Sequence, residues 1–337
     1  MGRICFLIYS SLISRLISLW FLFIFQPQLC LADGFNGFSV SKTLMPKTEI
    51  FRGGPPKDGI PAIDKPKFLS PEKVDYLSQD DLILGFTIAG ESRAYPLKIL
   101  IWHENVNDVV NGVPVAVTYC PLCNSAMVFS RKIDGMVLEF GISGLLWKSN
   151  VLLYNRKHAK LSESLWGQAD MQAVAGEAFS RKLKLKLLAS QLTTWSDWLK
   201  RHPKTLVLST DTGYKRNYLK PAYENYFAHD ELMFPITDYK KVKRYKNKDQ
   251  VVVIQKGSVW KAYVYSDVEK HLKGKDFFID SVGNEKVKVI LLEKAKSLRF
   301  ESLNNPEELI PTAYMYWFSF KTMQQEVPLF SPLLKLR

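Results

Sequence analysis

The spacing of apolar residues between positions 80 and 210 predicts β-hairpins rather than long helices. Leu82–Ile88 and residues 92–95 are strand-like runs separated by a Gly90-Glu91 turn. Asn111-Gly112 is a strong signal for a tight hairpin turn, and it leads into an apolar run at 113–119. Strand-like runs continue downstream, at residues 126–131, 136–140, 151–154 and 206–209.

Helical signals in this region are few and short. Residues 96–102 fit one short helix, and residues 193–202 fit a second one that stops before Pro203. Residues 33–74, which precede the strands, are rich in proline and glycine and show no sustained period. We therefore expect an irregular leader that wraps around the domain.

Two parts of the chain resemble each other, which predicts an internal repeat. Residues 81–95 and 249–263 have the same length and share the order of apolar run, glycine turn and basic-Ala-Tyr ending. The sequence thus predicts a β-rich α+β fold built from two related, duplicated β-meander units with short helices. The first unit spans residues 75–235, and the second, degenerate unit spans residues 236–337.

The first 32 residues have the pattern of an export signal. Arg3 precedes a nearly continuous apolar stretch, and Arg15 leaves an uninterrupted core at 16–25, well short of the roughly 20 residues of a spanning helix. We expect cleavage near Ala32 and a periplasmic or otherwise exported mature protein. An uncleaved membrane anchor and lipid attachment at Cys30 are the alternatives.

The charge balance bears on partners. The chain has a formal net charge of +13, and removal of residues 1–32 would lower it to about +11. Much of the surplus lies in two basic runs, at 181–186 and 240–248. Solvated loops or strand edges are the plain interpretation of these runs, and peripheral contact with an anionic membrane is the other. Nucleic acid is not expected as a partner of an exported protein.

Cysteine usage points to the chemistry. Cys5 and Cys30 would leave with the signal, so the mature chain keeps only Cys120 and Cys123. A single Cys-Pro-Leu-Cys motif between two strands has the geometry of a metal knuckle, because the turn directs both thiolates to one place. Asn124 follows the pair at a position that wants a positive φ, and asparagine is the best occupant after glycine.

One knuckle supplies two ligands, so a closed metal site must recruit others. His103 is the leading third ligand and Glu104 a further candidate, since both come shortly before the strand that ends in the knuckle. The sequence thus predicts a copper or zinc site of Cys120, Cys123 and His103, with a metal donor or acceptor protein as partner. A buried histidine bonded to backbone and a capping carboxylate are the plain structural interpretations of His103 and Glu104.

The same two cysteines fit two other functions. One is a thiol-disulfide oxidoreductase that uses Cys120 as the attacking thiol and reacts with a redox partner. A thioredoxin fold is not expected, because the residues after Cys123 predict a hairpin instead of a helix. The other is a non-enzymatic binding module in which the pair is a structural clasp. The sequence contains no Gly-rich phosphate loop, serine nucleophile elbow or HExxH motif.

Three motifs together resemble a known family. They are Trp102-His103-Glu104-Asn105-Val106-Asn107-Asp108, Thr118-Tyr119-Cys120-Pro121-Leu122-Cys123-Asn124-Ser125-Ala126 and Ser143-Gly144-Leu145-Leu146. With the Arg-Ala-Tyr-Pro-Leu run at 93–97, they make the chain similar, over residues 75–320, to the bacterial and archaeal family catalogued as domain of unknown function 3179. That family tends to have glycine where this chain has Asn124. The resemblance implies no established activity.

Overall fold

A computed structural model describes residues 35–237, 239–305 and 309–331. Within these ranges the chain is rich in β-structure, with several sheets and a few short helices, as the sequence predicts. The predicted export signal lies outside the described residues. None of the helices found in the three ranges is long and apolar enough to cross a membrane.

Most elements are short strands, and the helices between them have one or two turns. The strands are β1 (Ile50–Arg52), β2 (Phe68–Leu69), β3 (Leu82–Ile88), β4 (Glu91–Pro96), β5 (Asn105–Val110), β6 (Val113–Cys120), β7 (Ser125–Ser130), β8 (Lys132–Ile133), β9 (Met136–Val137), β10 (Phe140–Trp147), β11 (Asn150–Asn155), β12 (Leu165–Gly167), β13 (Gln172–Ala175), β14 (Leu187–Leu188), β15 (Gln191–Thr194), β16 (Leu206–Leu208), β17 (Gln250–Lys256), β18 (Val259–Val264), β19 (Phe277–Val282), β20 (Glu285–Leu292), β21 (Ser297–Ser302) and β22 (Thr312–Tyr316). The helices are α1 (Leu97–His103), α2 (Glu177–Ser180), α3 (Trp195–Arg201), α4 (Glu224–Ala228), α5 (Tyr265–Leu272) and α6 (Trp317–Met323).

The predicted hairpins are confirmed where a tight turn fixes the register. Asn111 and Gly112 have φ values of 43° and 83°, and they join β5 to β6 as a two-residue loop with both central residues left-handed. One prediction is wrong. The run at 136–140 is not a single strand, because the turn after Ile133 closes a separate β8–β9 hairpin and β10 begins only at Phe140.

A central sheet carries the Cys-Pro-Leu-Cys motif. Its strand order is β18-β17-β22-β7-β6-β5, with β14 paired to β7. Cys120 ends β6 and pairs with Ser125 at the start of β7, so the motif is the loop of an antiparallel hairpin. This confirms the predicted position of the cysteines between two strands.

Apolar clusters cover both faces of the central sheet. Side chains alternate along β6, so Ala116 and Cys120 belong to one cluster while Val117 and Tyr119 belong to the other. The first cluster is shared with the sheet β1-β10-β11-β12-β13, and the second with the sheet β15-β3-β4-β16-β2 and with the three-stranded sheet β19-β20-β21. The thiols therefore lie inside the core rather than at a sheet edge.

The leader adds short edge strands to this frame. β1 pairs with β10, and β2 pairs with β16. Ile63 forms a parallel bridge with Val106 on the outer edge of β5. Most of the remaining leader is irregular, and its backbone groups bond to the sheets that it crosses.

Candidate functional site

The loop after β6 holds the two cysteines in a fixed conformation. Asn124 has a φ of 44°, as the sequence predicts, and its N–H donates to the carbonyl of Pro121 at 3.3 Å. The hydroxyl of Tyr119 donates to the side-chain oxygen of Asn124 at 2.8 Å. The first of these hydrogen bonds closes the loop, and the second attaches it to β6, the strand that precedes it.

Two parts of the chain that are distant in sequence donate hydrogen bonds to backbone carbonyls of the loop. Tyr226 of α4 donates its hydroxyl proton to the carbonyl of Leu122 at 2.7 Å. The N–H of Tyr316, at the end of β22, donates to the carbonyl of Cys123 at 2.8 Å. These backbone carbonyls of the loop therefore already accept hydrogen bonds from the protein, and the groups available to a ligand are the side chains.

Both thiols are free and buried. Cys120 and Cys123 are 1% and 0% exposed. The S–H of Cys123 donates to the carbonyl of Ser149 at 3.1 Å. Burial raises the pKa of Cys120 well above its usual value, and a hydrogen bond with Cys123 adds to this rise. The thiol of Cys120 therefore favours its protonated form in the absence of a cation.

The acceptor carbonyl comes from a tight hairpin between β10 and β11. Lys148 and Ser149 have φ values of 50° and 61°, an uncommon conformation for residues other than glycine. The hydroxyl of Ser149 is buried and has no hydrogen-bond partner among the described residues. Residues in sparsely populated backbone conformations cluster at functional sites.

Glu104 lies beside the thiols. It follows the last residue of α1 in a left-handed conformation, with φ 57° and ψ −18°, and its carbonyl accepts from the N–H of Tyr119 at 2.9 Å. The side chain is buried, with 6% of its surface exposed. Burial raises its pKa well above the usual value, and the adjacent Cys120 raises it further.

His103 has a different environment from its neighbour Glu104. Its Nδ1–H donates to the carbonyl of Pro61 at 2.7 Å, and its Nε2 accepts from the hydroxyl of Tyr218 at 2.7 Å. Burial lowers its pKa, which favours the neutral ring that these two bonds require. Coordination of a metal by His103 would require the loss of one of these bonds. Among the described residues, no group of three or more His, Cys, Asp or Glu side chains is close enough to hold a metal ion.

Three tyrosines that the sequence did not indicate complete the walls of the site. Tyr223 is close enough for the carboxyl of Glu104 and the thiol of Cys120 to raise its pKa, after burial as the main cause, to about 12. Burial also raises the pKa of Tyr226 and of Tyr316, and the nearby thiols add to the rise. No local pattern reveals these residues, because they come from segments about 100 and 200 positions away along the chain.

A groove on the protein borders the cysteine loop at Asn124. It has a volume of about 460 Å³ and is lined by α1, by residues 218–222 and by the loop itself. Its lining includes Tyr119, Asn124 and Tyr316 next to the loop, together with Lys98 and Lys220. Neither cysteine is among the residues that line it.

Substitution of Glu104 by glutamine is expected to stabilise the metal-free protein at pH 7. A buried acid with a raised pKa stabilises the folded state fully only below its unfolded pKa near 4.5, and stability falls as the pH rises from there. Glutamine removes this penalty, so at pH 7 the free energy of unfolding should rise by about 1–3 kcal/mol, and at pH 4 it should be unchanged. Urea denaturation across this pH range measures the difference.

The matched control is Glu139→Gln, which neutralises an exposed carboxylate and should leave the pH dependence as in the wild type. If Glu104→Gln has the same pH dependence as the wild type, then Glu104 is ionised in the folded protein and its carboxylate must have a cationic partner.

Comparison with known proteins places the chain in a family. A family model described as protein of unknown function (DUF3179) matches residues 57–315. Searches of curated proteins and of solved structures found no match. The match includes the cysteine loop, Glu104 and the β10–β11 hairpin, and it ends one residue before Tyr316. The chain therefore belongs to the DUF3179 family of proteins of unknown function.

Proposed function

We propose that the chain binds one soft metal ion, copper(I), through the thiolates of Cys120 and Cys123. The observation that supports this is the burial of three groups that form anions, the two thiols and the carboxyl of Glu104, with no basic side chain paired to them in the described residues. Such groups must either keep their protons or bind a cation. A thiophilic ion satisfies the sulfur atoms better than a hard one.

Copper(I) suits this ligand set better than zinc. Two thiolates are a sufficient set for copper(I), whereas structural zinc takes four protein ligands. Glu104 has two roles in this proposal. When it is protonated, it can donate a hydrogen bond to the sulfur of Cys120. When it is ionised, it can supply a third of the four ligands that zinc would need. His103, the ligand expected from the sequence, would join only after release from Tyr218.

A second candidate is thiol-disulfide exchange. The hydrogen bond between Cys120 and Cys123 brings the two sulfur atoms together, and the carboxyl of Glu104 is next to Cys120, whose proton it can accept when it is ionised. In this reaction the two thiols lose two protons and two electrons and form a disulfide, while the disulfide of a partner protein is reduced to two thiols. The burial of both thiols is the main argument against it.

The expected partners follow from these chemistries. We propose that the chain is exported and that it receives its copper ion from, or delivers it to, a second metal-binding protein. If the function is thiol-disulfide exchange, the partner is a redox protein. Support for export comes from the apolar N-terminal pattern. The basic run at 240–248 supports peripheral contact with an anionic membrane.

We also propose that the two halves of the chain are copies of one unit, at 75–235 and 236–337. Both contain a hairpin followed by a helix, β3-β4-α1 and β17-β18-α5. In the first, the hydroxyl of Tyr95 donates to Asp108, and in the second Tyr263 donates to Asp280 at 3.0 Å. The two tyrosines are the last residues of the two 15-residue segments that resemble each other in sequence. Residues at matching positions therefore make the same type of hydrogen bond.

A second pair of contacts supports the duplication. The N–H of Trp195 donates to the carbonyl of Asp81 at 2.8 Å, and the N–H of Trp317 donates to the carbonyl of Asp249 at 2.7 Å. Each tryptophan begins a helix after a strand that pairs with the first strand of its own unit. The second unit has no cysteine, which favours a functional rather than a structural role for the thiols.

Titration of the reduced protein with copper(I) under anaerobic conditions tests the proposal. Against a chromogenic copper(I) chelator, we expect the chain to retain about one ion. Because cysteine thiols ordinarily keep their protons at pH 7 and metal ions bind thiolates, binding should release about two protons, which a pH-sensitive dye measures. If His103 keeps its hydrogen bond to Tyr218 in the copper-bound wild type, then His103→Gln should bind copper(I) with the wild-type affinity.

Three results would change the assignment. Zinc retained in place of copper(I), with affinity lost in Glu104→Gln, would identify a zinc site that includes the carboxylate. Loss of affinity in His103→Gln would restore the histidine as a ligand. A protein that retains neither metal and has a reversible dithiol potential would support thiol-disulfide exchange instead.

A further inference from the structure

Residues 213–234 form one wall of the cysteine site. Tyr223 and Tyr226 of this segment lie near Cys120, because burial raises the pKa of both hydroxyls and the thiol of Cys120 adds to the rise. The other contacts of the cysteine loop come from β6, from β22 and from the turn between β10 and β11. This wall is therefore the part of the site that no sheet provides.

The backbone of this segment is not joined to the sheets. In the described part of the chain, the backbone-to-backbone hydrogen bonds of residues 213–234 stay within the segment, such as that from Phe227 to the carbonyl of Tyr223 at 2.9 Å. Its regular structure is the five-residue helix α4. By contrast, β6 and β7 each have a bonded strand on both sides. Displacement of the segment would leave these strand ladders intact.

Two tyrosines are the buried residues of the segment. Tyr218 and Tyr226 are 7% and 9% exposed, whereas Leu219 is 72% exposed, and most of the other side chains are also exposed. The hydroxyl of Tyr218 donates to Nε2 of His103, and that of Tyr226 donates to the carbonyl of Leu122, both at 2.7 Å. A segment that buries few side chains and has few backbone bonds opens at a lower free energy than the core.

Lys248 attaches the segment at another place. Its Nζ donates to the carbonyls of Tyr226 and His229, the latter at 2.5 Å, and lies 3.3 Å from the centre of the Tyr226 ring. Its N–H donates to the carboxylate of Asp230 at 3.1 Å. Side chains at a small number of points thus hold the segment against the site.

We propose that residues 213–234 are a lid that opens while the sheets stay folded, and that this opening exposes the cysteine pair. Cys120 and Cys123 are 1% and 0% exposed, and neither lines the groove beside the loop, so a reagent needs an opening to reach them. Release of Tyr218 and Tyr226 would widen this groove, because residues 218–222 form one of its walls. The identity of the entering ion rests on the proposed function, whereas the opening requires no metal.

Alkylation of the reduced, metal-free full chain with iodoacetamide at increasing urea concentration tests the proposal. Mass spectrometry of the peptide that contains Cys120 and Cys123 measures their labelling separately from that of Cys5 and Cys30. We expect labelling without urea, and the logarithm of its rate should rise with urea less than about half as steeply as that of the global unfolding constant. Labelling that rises as steeply as global unfolding, or that is absent below the unfolding transition, would overturn the proposal.

Tyr226→Phe removes one attachment of the lid and should raise the labelling rate without urea by about fivefold. Tyr314→Phe is the matched control. The hydroxyl of Tyr314 is also buried and donates to a carbonyl, that of Ser190 at 3.2 Å, but Tyr314 lies on β22, outside the lid. This variant should be labelled at the wild-type rate. An equal rise in both variants would mean that labelling requires global unfolding.

Lys248→Met tests the lid without a change at the cysteine loop. It removes the bonds from Nζ to the carbonyls of Tyr226 and His229, so it should also raise the labelling rate several-fold. Urea denaturation of each variant shows whether its global stability accounts for the change. Wild-type labelling rates in both Tyr226→Phe and Lys248→Met would contradict the assignment of this segment as a lid, whether or not the protein binds copper(I).

Discussion

Copper(I) affinity is expected to fall by at least about a thousandfold when Cys120 and Cys123 are both replaced by serine. Serine keeps the size of the side chain, but its hydroxyl is a hard donor that does not ionise near neutral pH. The two thiolates are the whole of the proposed ligand set, so the variant has no soft ligand left at the loop. Competition with a chromogenic chelator measures the loss directly.

The double variant should remain folded. The two cysteines form no disulfide in the structure, and a serine at position 123 can still donate to the carbonyl of Ser149. The loop conformation also depends on other contacts, from Tyr119, Tyr226 and Tyr316. We expect a loss of about 1–2 kcal/mol in the free energy of unfolding, from the burial of two hydroxyl groups in an apolar cluster.

Met127→Leu is the matched control for the double variant. Met127 is a buried sulfur-containing residue on β7, in the same apolar cluster as the cysteines, and leucine fills a similar volume. This variant should bind copper(I) as the wild type does. Wild-type copper binding in the double serine variant would mean that the ion binds elsewhere, and the cysteine pair would then be a structural clasp.

Local signals in the sequence were sufficient for the loop that carries the cysteines. The apolar run of β6 predicts a strand, and the motif and Asn124 that follow it predict a turn with a positive φ. Each of these depends on neighbouring residues alone. The Asn111-Gly112 hairpin was predictable for the same reason, since the turn fixes the register of the strands that it joins.

The surroundings of the thiols were not predictable in this way. His103 and Glu104 are adjacent in sequence, and both were candidates. The left-handed conformation of Glu104 at the end of α1 puts its carboxyl beside Cys120, while His103 remains bonded to Pro61 and Tyr218. A choice between them depends on one backbone angle and on a tyrosine more than 100 positions away, and neither leaves a pattern in the sequence.

Strand β10 is a further part of the site that had no assigned element beyond Phe140, whereas its partner β11 was predicted at 151–154. Its residues 143–146 were recognised only as a motif, because the strand is interrupted. The register of β10 against β11 shifts between Ile142 and Leu146, with Gly144 at a φ of 74° in the shifted region. Beyond this irregularity the hairpin turns at Ser149, whose carbonyl accepts from Cys123. The shift therefore helps to determine where that carbonyl lies.

Replacement of Gly144 by alanine is accordingly expected to destabilise the protein by about 3–5 kcal/mol. A Cβ atom at this position would be 2.3 Å from the carbonyl oxygen of Pro55, a backbone atom that cannot move aside alone. The positive φ adds a cost of about 1–2 kcal/mol for any residue with a side chain. Chemical denaturation measures the change.

Gly54→Ala is the control for Gly144→Ala, because it isolates the backbone cost from the collision. Gly54 also has a positive φ, of 106°, but a Cβ there meets no atom within 4 Å. It should cost only the conformational part, about 1–2 kcal/mol. Equal losses in the two variants would mean that the leader moves away from the hairpin freely. If instead Gly144→Ala loses more stability and also binds copper(I) more weakly, then the contact between the leader and the hairpin helps to hold the carbonyl of Ser149 in place beside the thiols.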